Sequence, residues 1–134
     1  MRYPQILVVE SDRVLATSLQ ELAQSWRWVL REVRSSEEVL RLMNHGPPTV
    51  LVLKLGRDLT DEMTLLQRVA EQFSDAQTIV VGESDHRSLA GMAWDLGAAY
   101  VLIQPYPRDW LVELVEGLMG VMEVDDETES ADAE

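Results

Sequence analysis

Ile6-Leu7-Val8-Val9-Glu10-Ser11-Asp12 is a run of four apolar residues that stops abruptly at three polar ones. A short unbroken apolar run fits a strand covered on both faces, and the polar stop puts reactive side chains at its carboxyl end. The same pattern recurs at Thr49-Val50-Leu51-Val52-Leu53 before Lys54, Thr78-Ile79-Val80-Val81 before Gly82, and Tyr100-Val101-Leu102-Ile103 before Gln104. Trp28-Val29-Leu30 with Val33 is a weaker second strand. Between these stretches apolar residues fall at helical spacing: Leu15, Leu19, Leu22 and Trp26; Val39, Leu40 and Met43; Leu65, Leu66, Val69 and Phe73; Leu89, Met92, Ala93 and Leu96; Leu111, Leu114, Val115 and Leu118. Local punctuation agrees. Ser11-Asp12 offers N-cap oxygens, Ser35 to Glu38 has capping-box spacing, His45-Gly46-Pro47-Pro48 stops a helix, Gly97 closes another and Pro107 opens the last.

Five strand–helix units in succession predict an α/β domain with a five-stranded parallel sheet covered on both faces. In such sheets sites lie beyond the carboxyl ends of the strands. Those ends are Glu10-Ser11-Asp12, Lys54-Leu55-Gly56, Gly82-Glu83-Ser84 and Gln104-Pro105.

The bulk properties bound the function. The chain has 134 residues with 24 acids, 11 bases and no cysteine, a formal net charge of -13. That length suits one domain. The acidity argues against nucleic-acid binding and against docking on anionic membranes. Without cysteine there is no disulfide, thiolate metal site or cysteine nucleophile, and two histidines, His45 and His86, leave little for zinc. No apolar run approaches the ~20 residues of a membrane span, and Met1-Arg2-Tyr3-Pro4 does not open a signal peptide. The expectation is a soluble cytoplasmic protein. From Glu123 to Glu134 there are seven acids and no base. Such a segment buries too little to fold alone, so the predicted organisation is a domain over residues 1–121 and an acidic, disordered tail over 122–134.

Residues 5–121 resemble the response-regulator receiver domain of two-component signalling. The likeness rests on Ile6-Leu7-Val8-Val9-Glu10-Ser11-Asp12, on Pro48 through Leu55, on Gly97-Ala98-Ala99 and on Gln104-Pro105-Tyr106. It implies a flavodoxin-like (βα)5 fold with strand order 2-1-3-4-5. It also implies an acidic pair holding Mg²⁺ after strand one, an aspartate accepting a phosphoryl group after strand three, a Thr or Ser after strand four and a Lys after strand five. Position by position the acidic pair falls on Glu10 and Ser11, with Asp12 adjacent. The acceptor falls on Lys54, the Thr/Ser on Gly82, the Lys on Gln104 and the aromatic switch residue on Val101. The resemblance also suggests a cis Gln104–Pro105 peptide.

The chemistry of that pocket is altered. A protonated lysine, reference pKa ~10.4, has no lone pair to attack phosphorus. Mg²⁺ takes hard oxygen ligands, and an ammonium in the same place repels it. The expectation is therefore no cofactor and no metal, with Lys54 paired to Glu10 or Asp12. A unit pair at ~4 Å attracts by ~4 kcal/mol at an effective dielectric of ~20, before desolvation. The bland alternative is a lysine that snorkels to solvent.

Other signals are weaker. Gly82-Glu83-Ser84 lacks the second glycine of a nucleophile elbow, since His86 stands there, so Ser84 or Asp85 reads as the N-cap of the fourth helix. No phosphate-binding glycine pattern is present. Trp26 falls on the inner helical face and is expected in the core. Trp94, Tyr106 and Trp110 are the candidate partner surface, because exposed aromatics anchor interfaces and the resemblance implies a dimer or output face there. The sequence thus predicts no enzyme. It predicts a phosphorylation-independent, pseudo-receiver signalling domain with a protein partner, a homodimer being one such assembly. The competing reading is a working phosphotransfer receiver that uses Asp12 or Asp58 as a non-standard acceptor.

Overall fold

The computed structural model describes residues 4–10, 12–44, 48–56 and 58–132, with the side chains of 108 and 122–132 left aside. Strands β1 (Gln5–Val9), β2 (Val29–Val33), β3 (Thr49–Lys54), β4 (Gln77–Gly82) and β5 (Tyr100–Ile103) form one parallel sheet in the order β2-β1-β3-β4-β5. The predicted five-stranded sheet and its strand order are what the structure contains. Helices α1 (Val14–Trp26), α2 (Ser36–Asn44), α3 (Leu59–Gln72), α4 (Ala90–Asp95) and α5 (Arg108–Asp132) connect and cover it.

Strand alternation sorts the core into two layers. Ile6, Val8, Val50, Val52, Ile79 and Val81 face α1 and α5, where Leu15, Leu19, Leu111, Val115 and Met119 meet them. Leu7, Leu51, Leu53 and Val80 point the other way, onto Val39, Met43, Leu65, Leu66, Val69 and Ala93 of α2, α3 and α4. The central strands are apolar at consecutive positions because both faces are covered. Each such fully buried Leu, Ile or Val contributes about 1.5–3 kcal/mol.

Three local features differ from the sequence reading. Trp26 is half exposed and stacks on Trp28, with ring centroids 5.5 Å apart and planes at 13°, while Trp28 is the buried one. Arg27 explains the exchange. It adopts a left-handed conformation (φ 58°), and the Trp28 N–H turns back onto Ala23 O at 2.9 Å. That reversal carries the chain into the core one residue after the helix ends, so β2 begins at Val29. The second difference is at the fourth helix. A 3-10 turn over Ser84–Leu89 precedes a short α4, and the turn is capped at Glu83, not at Ser84 or Asp85. The third concerns α1. Its N-cap is Arg13, left-handed at φ 62°, with no side-chain cap of its own, although Asp12 does supply an oxygen as expected, Oδ1 accepting the Val14 N–H at 3.2 Å. Ser35 behaves as its spacing predicts, its Oγ accepting the Glu38 N–H at 3.2 Å. Ser11 and the His45-Gly46-Pro47 stop lie outside the described residues.

Candidate functional site

Parallel strands deliver their carboxyl ends to one edge of the sheet, and there Glu10, Asp12 and Lys54 come together. Lys54 is the last residue of β3 and the only lysine of the chain. Its Nζ donates to Asp12 Oδ2 at 2.8 Å, and its side chain is only 13% exposed against 48% for Asp12. Of the two carboxylates expected to take the ammonium, Asp12 does so. Its other oxygen, Oδ1, accepts the Val14 N–H at 3.2 Å.

Glu10 is used differently. Oε2 accepts the Leu15 N–H at 3.0 Å and Oε1 the Ala16 N–H at 2.8 Å. Arg13 cannot cap these first-turn amides, so a carboxylate from the end of β1 does, favoured by the positive end of α1. Burial pushes the Glu10 carboxyl above its usual range, against the pull of the Ala16 and Leu15 amides. The Lys54 ammonium holds the Asp12 carboxyl below its usual range. Glu10 is thus the first of the two to take a proton.

The remaining pocket positions carry no charge. Gly82 ends β4, and its carbonyl accepts the Gln104 N–H at 2.8 Å. The Gln104–Pro105 peptide is cis. Tyr106 is half buried against the α1–α5 layer. Burial pushes its hydroxyl up, with the Lys54 ammonium and Gln104 acting the other way. Glu10, Asp12 and Lys54 line a cleft of about 780 Å³ whose rim adds Arg34, Glu37, Asp58, Asp61, Glu83 and Asp85, while Gln104, Pro105 and Tyr106 line a separate groove. Asp58 is a helix cap there, its Oδ1 accepting the Asp61 N–H at 3.1 Å. Two wall residues escaped the sequence reading. Glu62 is buried and accepts the Gly56 N–H at 3.0 Å through Oε1. His86 is buried, and its Nδ1 accepts the Glu83 N–H at 3.0 Å. Neither had a signal beyond its spacing from a strand end.

This donor set does not fit Mg²⁺. The cation needs carboxylate oxygens free to turn toward it. Both Glu10 oxygens are taken by amides, Asp12 is taken by Lys54 and Val14, and the ammonium among these carboxylates repels a divalent cation. Among the described residues no three His, Asp or Glu side chains converge as metal ligands.

No family model and no curated protein matches the sequence. Solved structures do. A signal receiver domain from Vibrio parahaemolyticus superposes with a TM-score of 0.75 at 18% identity, over 95% of this chain and 98% of that one. The signal receiver domain of an HD domain-containing protein from Pseudomonas fluorescens Pf-5 does so with 0.75 at 22%, over 95% and 94%. A CheY-like response regulator receiver domain protein from Methanospirillum hungatei JF-1 gives 0.72 at 14%, over 92% and 98%. The chain has the receiver fold. At these identities the likeness is one of architecture, and the chemistry of this receiver fold is read from its own pocket.

The aromatic candidates separate in this receiver fold. Trp94 and Trp110 are half exposed, and Trp94 meets Tyr100 edge-on at 6.3 Å. Tyr106 instead lines a groove with Val14, Leu15 and Leu111, beside α1 and α5. Among the described residues no helix is long and apolar enough to cross a membrane.

Proposed function

We propose that this chain is a receiver-like domain of a two-component-type regulatory system. It signals through protein–protein contact and takes no phosphoryl group. The observation that carries this reading is the Lys54–Asp12 pair at 2.8 Å. The pair puts a cation at the end of β3 and neutralises a neighbouring carboxylate. A phosphoryl acceptor at the end of β3 must be an unprotonated nucleophile beside a divalent cation, whereas position 54 is an ammonium and the donors around it do not fit that cation. In this reading the domain is no enzyme and uses no cofactor. It works in the cytoplasm on a protein partner, or a second copy of itself, and not on nucleic acid or a membrane. Residues 1–121 form the working unit, and the acidic segment 122–134 follows it, residues 122–132 continuing α5.

The test is incubation with acetyl phosphate, or with beryllofluoride and Mg²⁺, followed by intact mass and tryptophan fluorescence. The expected result is an unchanged mass and an unchanged emission spectrum. A stoichiometric adduct mapped to Asp12 or Asp58 would establish the phosphotransfer reading instead. Capture of partners by the wild-type chain from its native cell then identifies the output.

A further inference from the structure

A Cβ placed on Gly82 would lie 3.1 Å from His86 Cβ, 3.2 Å from Ile103 Cδ1 and 3.5 Å from His86 Nδ1. Contacts that close mean the space over the end of β4 is already filled, by the Cβ of His86 from the turn that follows and by Ile103, with the imidazole Nδ1 at ordinary contact distance. The ring is buried. Its Nδ1 accepts the Glu83 N–H at 3.0 Å, and the His86 N–H closes the same turn on Glu83 O at 2.9 Å. Its Cε1 lies 4.0 Å from where a Cβ on Gly56, two residues beyond β3, would be. His86 therefore packs over the end of β4 and ties the first residue after that strand to itself.

The donors on the pocket wall share this arrangement. The Leu15 and Ala16 amides end on Glu10, the Gly56 amide on Glu62, the Lys54 ammonium on Asp12 and the Glu83 amide on His86. Each is satisfied by a side chain of the chain itself. An anion that binds any of these five donors has to displace its acceptor, and a buried donor stripped of its acceptor is costly.

Building on the pocket as one that takes no phosphoryl group, we infer that His86 is its resident ligand, a latch that holds the Glu83 amide and fixes the turn Ser84–Leu89 against the strand edge. The turn leads without a break into α4, which carries the exposed Met92 and Trp94. The latch therefore sets how α4 leaves the sheet and how those two side chains are presented. Gly82 is the other half of the device, since a Cβ there meets His86 Cβ at 3.1 Å and Ile103 Cδ1 at 3.2 Å. His86 is a positioning residue that acts through the Glu83 amide.

Hydrogen exchange in the full chain tests it. In His86→Ala the Glu83 amide exchanges about tenfold faster than in wild type, the scale of one lost hydrogen bond. In His86→Asn, whose carbonyl oxygen stands near the place of Nδ1, the Glu83 amide stays within about twofold of wild type. The amides of Val80 and Val81 hold their rates in both variants. A second measurement needs no variant: the imidazole ¹⁵N spectrum of the neutral ring shows a bare Nδ1 and a protonated Nε2. Wild-type exchange at Glu83 in His86→Ala, or a ring protonated on Nδ1 instead, overturns the latch. The beryllofluoride assay reads the chemistry of the pocket alone, so the two readings fail by different measurements.

Discussion

At the residue scale, the Lys54–Asp12 pair is lopsided, and the asymmetry makes a prediction. The ammonium is largely buried and the carboxylate is half in water. Removing Asp12 strands a buried charge, whereas removing Lys54 returns Asp12 to solvent. Asp12→Asn is expected to cost about 1 kcal/mol at neutral pH, a figure discounted for the exposure of the carboxylate. Lys54→Met, which keeps the stem packed, is expected to fall within about 0.5 kcal/mol of wild type. Denaturant melts of the two variants check the order. Asp12 is held below its unfolded value of 3.8, so its contribution is present above that pH and lost as the pH falls through the folded value. The gap between wild type and Asp12→Asn therefore closes on the acid side of 3.8. Glu10, pushed up by burial, acts in the opposite sense: its contribution is present below 4.5 and lost as the pH rises above that through the folded value. Asp12 adds to that upward push, so Asp12→Asn also reduces the Glu10 contribution. The cation at 54 was legible in the sequence because a strand end is a fixed address. The duty of Glu10 was not, because the left-handed Arg13 that leaves the α1 amides uncapped has no pattern in the sequence. His86 was hidden for a similar reason, since four residues from Gly82 becomes a contact only when the turn between them is 3-10.

At the element scale, the apolar runs marked the strands and their burial on both faces because a parallel sheet demands continuous burial, whereas the order of the strands came only from the family resemblance. What spacing could not decide was where a helix overshoots the sheet. Trp26 continues the inner stripe of α1, yet the last turn reaches past the sheet and Arg27 reverses the chain. Close approach between elements was equally invisible. Gly97, after α4, has φ 114°, and a Cβ there would lie 2.5 Å from the Cβ of Ala70 on α3. Both the backbone conformation and the space require glycine. Gly97→Ala is expected to destabilise the domain by about 3 kcal/mol, the sum of overpacking and backbone strain. Adding Ala70→Gly should recover the packing share and leave the strain. Gly117, in α5 with nothing within 4 Å of its would-be Cβ, is the control. Gly117→Ala should stabilise by roughly 0.5–1 kcal/mol through helix propensity. Thermal melts of the three variants read both signs. Equal melting of Gly97→Ala and wild type would mean that α3 and α4 do not meet as described.

At the scale of the whole molecule, two properties oppose each other. Trp94 and Trp110 stand half exposed on α4 and α5, which invites contact. The net charge of -13, seven of its acids between Glu123 and Glu134, resists contact with any copy of the same chain. Salt separates the two, because it screens charge over about 10 Å at 0.1 M and leaves apolar burial untouched. If the proposed partner face joins two copies, sedimentation should show association that strengthens with added salt. Trp110→Ala should weaken it by about 30-fold or more, the loss expected for a central aromatic anchor. Trp26→Ala removes a ring of similar exposure that stacks on Trp28 at the far end of α1, and it should leave association unchanged. A basic protein partner predicts the reverse salt dependence, since attraction to the acidic chain fades as salt rises, while Trp110→Ala still weakens binding. The sign of the salt effect thus distinguishes a second copy from a basic partner, and the two tryptophan variants locate the face. Identical association of wild type and Trp110→Ala in both settings removes α5 from that face whatever the partner is.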